Sequence, residues 1–118
     1  MHESLPDFRM PEDPQVAAAV DAFRMLADPT RVKILWALLQ GETSVACLAE
    51  VVHVSPTTVS QHLSKLRLAG LVRGRRQGTF VFYTAADHHV REILTVMFGE
   101  QHVPRAGRRL PAAATLTR

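Results

Sequence analysis

Residues 55–72, SPTTVSQHLSKLRLAGLV, decide how this chain is read. Ser55 followed by Pro56 is the pairing that opens a helix: a side-chain oxygen to cap the first free amides, then a residue whose fixed φ suits the first turn. Val59, Leu63, Leu66 and Ala69 then recur at spacings of three and four, which predicts one buried helical face, and Gly70 supplies the stop. The helix begins with short polar side chains, Thr57, Thr58, Ser60 and Gln61, and continues through Lys65 and Arg67. Just upstream, Ser44 can cap a second short helix, SVACLAEVV, that ends around His53. Two short helices joined by His53-Val54-Ser55 form a helix-turn-helix. The second helix of such a motif enters the major groove by its N-terminal part, where hydroxyl and amide groups can meet base edges or phosphates.

Working outward, the period changes after Gly70 from helix to strand. Leu71–Arg75 and Thr79–Thr84 are β-prone runs around Arg76-Gln77-Gly78, and they predict a hairpin with a basic tip of Arg75, Arg76 and Gln77. That tip can lie on flanking phosphates or reach into a minor groove. Asp87 can cap a last helix in which Val90, Ile93, Leu94 and Met97 form an amphipathic stripe; Gly99 weakens this helix and Pro104 ends it. Toward the N-terminus, Asp28-Pro29 separates two further helices. The first has Asp13 as its predicted N-cap, Pro14 in the first turn, and Val16, Ala19, Val20, Phe23, Met25, Leu26 and Ala27 as apolar positions. The second carries Val32, Ile34, Leu35, Ala37, Leu38 and Leu39 and ends at Gly41. The predicted fold is mainly α with a small β-hairpin, a winged helix-turn-helix. Residues 1–13 are expected as a flexible arm, 14–103 as the DNA-binding and dimerisation domain, and 104–118 as a basic flexible tail.

Composition agrees with this. The 118 residues suit one domain, 47% of them are hydrophobic, and the net charge is +3. Its distribution says more than its sum. No Asp or Glu occurs between Val51 and Ala86, whereas Lys65, Arg67, Arg73, Arg75 and Arg76 all fall there. Such a one-sign stretch suits a polyanion. No apolar run approaches a membrane span, and the start, MHESLPDFRMPEDP, is unlike a secretory signal. The single cysteine, Cys47, excludes an internal disulfide and is expected as a buried small hydrophobe. A cytoplasmic location follows as the expectation. No nucleophile–base pairing, P-loop or dinucleotide fingerprint is present, so an enzyme is not expected.

The segments LADPTRVKILWALLQGE, SVACLAEVVHVSPTTVSQHLSKLRLAGLV and RGRRQGTFVFYTAADHHV resemble the ArsR/SmtB family of winged-helix repressors over roughly residues 16–102. The resemblance implies a homodimer built on the first and last helices, each protomer offering a recognition helix and a wing to a palindromic operator. It implies repression relieved by an inducer, most often a metal ion. By position it makes Thr57, Ser60 and Gln61 groove-facing and Arg75, Arg76 and Gln77 wing contacts, with His62 either near DNA or structural.

The family's metal-sensing branch carries Asp-x-His at the start of the last helix, here Asp87 and His89. Its second histidine falls at Glu100, its final ligand at Val103, and His102 stands one place short of that ligand. His89 and Glu100 project within about 20° of each other on a helix but about 16 Å apart along its axis. One ion can join them only across an antiparallel pair of copies. The candidate donors are therefore Asp87, His89, Glu100 and His102 across a dimer interface, with His2 as a further one. Zn²⁺, Ni²⁺ or Co²⁺ are the ions that suit them. The family's cysteine-pair site is absent, because Ser44-Val45-Ala46-Cys47 holds one thiol. The alternative is a DNA-binding subunit without its own metal site, whose signal is sensed by a partner protein.

Overall fold

The computed structural model describes residues 6–99. Its elements run α1 (Asp13–Leu26), α2 (Pro29–Gln40), β1 (Thr43–Ser44), α3 (Val45–Val52), α4 (Pro56–Leu68), β2 (Val72–Gln77), β3 (Phe80–Ala85) and α5 (His88–Phe98). This is the winged helix-turn-helix that the sequence predicts. The boundary expected at residue 14 falls one residue inside α1, and the expected tail from residue 104 lies outside the described residues.

Local signals explain most helix starts. Asp28 accepts the Arg31 amide, Ser44 that of Cys47, Ser55 that of Thr58, and Asp87 those of His89 and Val90. The start of α1 differs from expectation. Asp13 is the first helical residue and Glu12 is the N-cap, because the Glu12 amide donates to Gln15 Oε1 at 2.9 Å and closes the turn one residue earlier. The α1–α2 junction is held from both sides. Asp28 caps α2, while the Arg31 guanidinium reaches back to donate to the Met25 and Arg24 carbonyls at 2.8 and 3.2 Å, serving the open end of α1. The Arg31 amide holds the Asp28 carboxyl below its ordinary pKa. Its stabilising effect is therefore present above the usual Asp range and is lost as pH falls through the lowered value.

Ile34, Leu35, Leu48, Val59, Leu63 and Leu66 are all within 1% of complete burial and form the centre of the core. Ala69, expected on this buried face, is exposed. It is the C-cap of α4, where the chain turns away into Gly70 at φ +79°. The wing's two-residue turn, Gly78-Thr79, places Gly78 at φ +64°, the left-handed first position of a type II′ hairpin. The sequence reading missed β1. It is two residues long, too short for any periodicity, and pairs antiparallel with β3 to give the sheet order β1-β3-β2.

The stripe predicted on α5 divides between two surfaces. Val90 and Leu94 enter the core, whereas Met97 is 70% exposed and Ile93 half-buried. Helix α1 is more extreme, with no buried residue at all. Its Val16, Val20 and Phe23, at helical spacing, are 42%, 40% and 57% exposed. The protomer thus leaves an apolar face on its first and last helices.

Candidate nucleic-acid interface

Helix α4 is positioned from its inner side. With Val59, Leu63 and Leu66 buried, helical geometry turns Thr57, Ser60, Gln61, Lys65 and Arg67 outward, and all are exposed. Thr58 is the exception among the predicted groove residues. It is half-buried, and its Oγ1 accepts the Ser55 hydroxyl at 2.9 Å, so it belongs to the cap. Ser64, absent from the residues expected at the groove, follows Thr57 by seven residues and Gln61 by three and is likewise exposed. The spacing arithmetic that found the buried face also finds this residue when applied to the opposite one. His62 is half-buried, with Nε2 3.9 Å from Asp28 Oδ2. His53 lies exposed in the turn between α3 and α4 at φ +67°, and Cys47 is buried as expected.

On the wing, alternation along β2 separates the cations. Arg73, Arg75 and Gln77 share one face, while Arg76 points to the other and is exposed. Arg75 does not stand free at the tip. Its Nε and Nη2 donate to the two Glu42 carboxylate oxygens at 2.8 and 2.9 Å, its Nη1 donates to Gln77 Oε1 at 3.0 Å, and its guanidinium lies 5.3 Å from the centre of the Phe82 ring. The acid-free stretch from Val51 to Ala86 concealed this, because Glu42 reaches the wing only through the unpredicted strand β1. Gly74 faces Tyr83, and a Cβ there would sit 3.2 Å from Tyr83 Cε1.

A second candidate site lies in a groove of about 460 Å³ between α1 and α5, lined by Gln15, Phe23, Asp87, His89 and Ile93 among others. Both cap hydrogen bonds of Asp87 fall on Oδ1, so Oδ2 is not used by the cap. Among the described residues no three His, Cys, Asp or Glu side chains come together in a metal-binding group. Glu100, His102 and His2 lie outside the described residues.

The sequence pattern described as "Bacterial regulatory protein, arsR family" matches residues 28–73, from the α2 cap through the start of the wing. The HTH-type transcriptional regulator KmtR of Mycobacterium tuberculosis is 50% identical over 94 residues, 79% of this chain and 72% of that protein. The chain belongs to the ArsR family. A cadmium resistance transcriptional regulatory protein, a CadC homolog from Staphylococcus aureus, is 38% identical over 80 residues, 67% of this chain and 66% of its own. Among solved structures, the homodimeric winged helix-turn-helix DNA-binding domain Mb0332 of Mycobacterium bovis superposes with a TM-score of 0.65 at 30% identity, covering 76% of this chain and 86% of that one. This ArsR-family chain is therefore a DNA-binding transcriptional regulator and not an enzyme. No helix among its described residues is long and apolar enough to cross a membrane.

Proposed function

We propose that this chain is a homodimeric repressor that binds a palindromic operator and releases it in response to a divalent metal ion. The observation that carries the DNA-binding half is the outward face of α4. Once Val59, Leu63 and Leu66 are buried, what remains is a polar stripe of Thr57, Ser60 and Gln61 flanked by Lys65 and Arg67. Thr57, Ser60 and Gln61 are assigned to base edges in the major groove, Lys65 and Arg67 to phosphates, and Arg76 of the wing to phosphates beside the recognition site. Thr58 acts through the cap that begins the helix. Two copies joined by α1 and α5 present two such helices to half-sites about 34 Å apart. Residues 14–103 are assigned to this working unit, with an arm before it and a basic tail after it.

The test is fluorescence anisotropy on an operator recovered by selection from a random-sequence duplex pool. For Arg76→Ala, the slope of log affinity against log salt flattens by about 0.9 per wing, the signature of a lost phosphate contact. For Gln61→Ala, preference for the operator over a scrambled duplex falls by about 1–3 kcal/mol per half-site. An unchanged preference in Gln61→Ala removes α4 from the groove.

The metal half rests on the donors near the start of α5. Asp87 Oδ2 and the exposed His89 imidazole lie at the α1–α5 groove, on the apolar face assigned to the dimer. They fit a borderline cation such as Zn²⁺ or Ni²⁺ but are too few among the described residues of one protomer. Glu100 and His102 are proposed to complete the set across two copies. Bound there, the cation would favour a dimer geometry in which the two recognition helices miss their half-sites, and a coupling of about 1–3 kcal/mol suffices to shift operator occupancy. Calorimetric titration of Zn²⁺ and Ni²⁺ is expected to show a site in the wild type that His89→Ala lacks. Equal stoichiometry in the two proteins excludes this site and leaves signal detection to a separate protein.

A further inference from the structure

Arg75 reaches across the whole sheet. In the register Arg75 pairs with Phe82 of the middle strand, and Phe82 pairs on its other side with Ser44 of β1. The guanidinium passes over the Phe82 ring and is gripped by both oxygens of Glu42, the residue before β1. Ser44 in turn is the N-cap of α3. One side chain therefore ties the wing to the segment that starts the helix-turn-helix.

The charges also matter. The Glu42 side chain is only 17% exposed, so its carboxylate is largely removed from water and depends on its partner. A phosphate approaching Arg75 would meet a pair whose charges already cancel. To capture the guanidinium it would have to break a bidentate contact and leave the Glu42 carboxylate unpaired beside another anion.

We propose that Arg75 is a positioning residue that fixes the wing against the helix-turn-helix through Glu42, and that it is not a phosphate contact. This rests on the DNA-binding reading above and concerns which wing cation is spent on DNA. The guanidinium must be a fork and not merely a charge, since an ammonium on a flexible stem does not grip both carboxylate oxygens in the fixed geometry that also leaves the group over the Phe82 ring.

Operator anisotropy across a salt series separates the two roles. Arg75→Ala, Arg75→Lys and Glu42→Gln are each expected to weaken operator binding about tenfold, the scale of one lost contact between coupled side chains. Their salt slopes remain that of the wild type, and the Arg75→Ala/Glu42→Gln double variant binds no worse than Arg75→Ala. Arg76→Ala is the contrast, with a flatter slope. Tighter binding by Glu42→Gln overturns the proposal, because it would mean that the carboxylate competes with DNA. So does near-wild-type affinity in Arg75→Lys combined with a slope flattened by about 0.9 per wing in Arg75→Ala. A readout without DNA keeps the proposal separate from the function it rests on. Amide hydrogen exchange across β2 and β3 is expected to quicken in Arg75→Lys and Glu42→Gln but not in Arg76→Ala, and unchanged exchange in the first two sinks the tie.

Discussion

Phe23→Glu is expected to yield a folded monomer that binds the operator at least a hundredfold more weakly than the wild type. Helix α1 has no fully buried residue and meets the core through Met25 and Leu26, while Phe23 is 57% exposed, so a charge at position 23 costs the core little. In a dimer, the same side chain lies on the apolar stripe with Val16 and Val20, and two-fold symmetry sets two added carboxylates against one surface. Losing the partner makes each half-site bind alone and forfeits the gain from joining two sites, about 10²–10⁴ in affinity. Sedimentation velocity at micromolar concentration, far-ultraviolet circular dichroism and operator anisotropy together check this. A variant that still sediments as a dimer places the interface elsewhere.

The second large effect separates two leucines of one helix. Leu63→Ala is expected to destabilise the protein by about 2–5 kcal/mol, through lost transfer energy and the cavity left behind, because Leu63 is 1% exposed at the centre of the core. That is a large part of the roughly 5–15 kcal/mol that holds a typical domain together. Leu68, five residues later, is 90% exposed, and Leu68→Ala should change stability by no more than about 0.5 kcal/mol. Urea unfolding at one fixed protein concentration is the measurement, since association adds to apparent stability. Similar midpoints for the two variants would mean that α4 is not anchored as described.

What could be read from the sequence was what local chemistry dictates. Ser44, Ser55 and Asp87 each announce a helix start by a side chain that serves its own neighbours, and Val59, Leu63 and Leu66 announce the core by spacing, whereas Asp28 was legible only as a break and Asp13 gives way to Glu12 as the cap of α1. Ala69 deceived the same arithmetic because the chain leaves the helix there. The harder part was non-local. β1 exists only because β3 pairs with it, and Glu42 meets Arg75 at a separation of 33 residues. A basic stretch in sequence therefore overstated the positive charge of the wing. The division of the α5 stripe between the core and an exposed apolar face was likewise hidden, since an apolar residue in sequence does not say whether its own protomer covers it.

Gly74 sets a limit on how this wing can change. It lies between Arg73 and Arg75 and on the face of Arg76, where one more cation would strengthen attraction to any duplex, whatever its sequence. Any side chain at that position crowds the Tyr83 ring, which packs against the core. A cation added at this strand position therefore requires the Tyr83 ring to give by a few tenths of an ångström, so indiscriminate attraction to the chromosome is raised more readily at positions with open space around them.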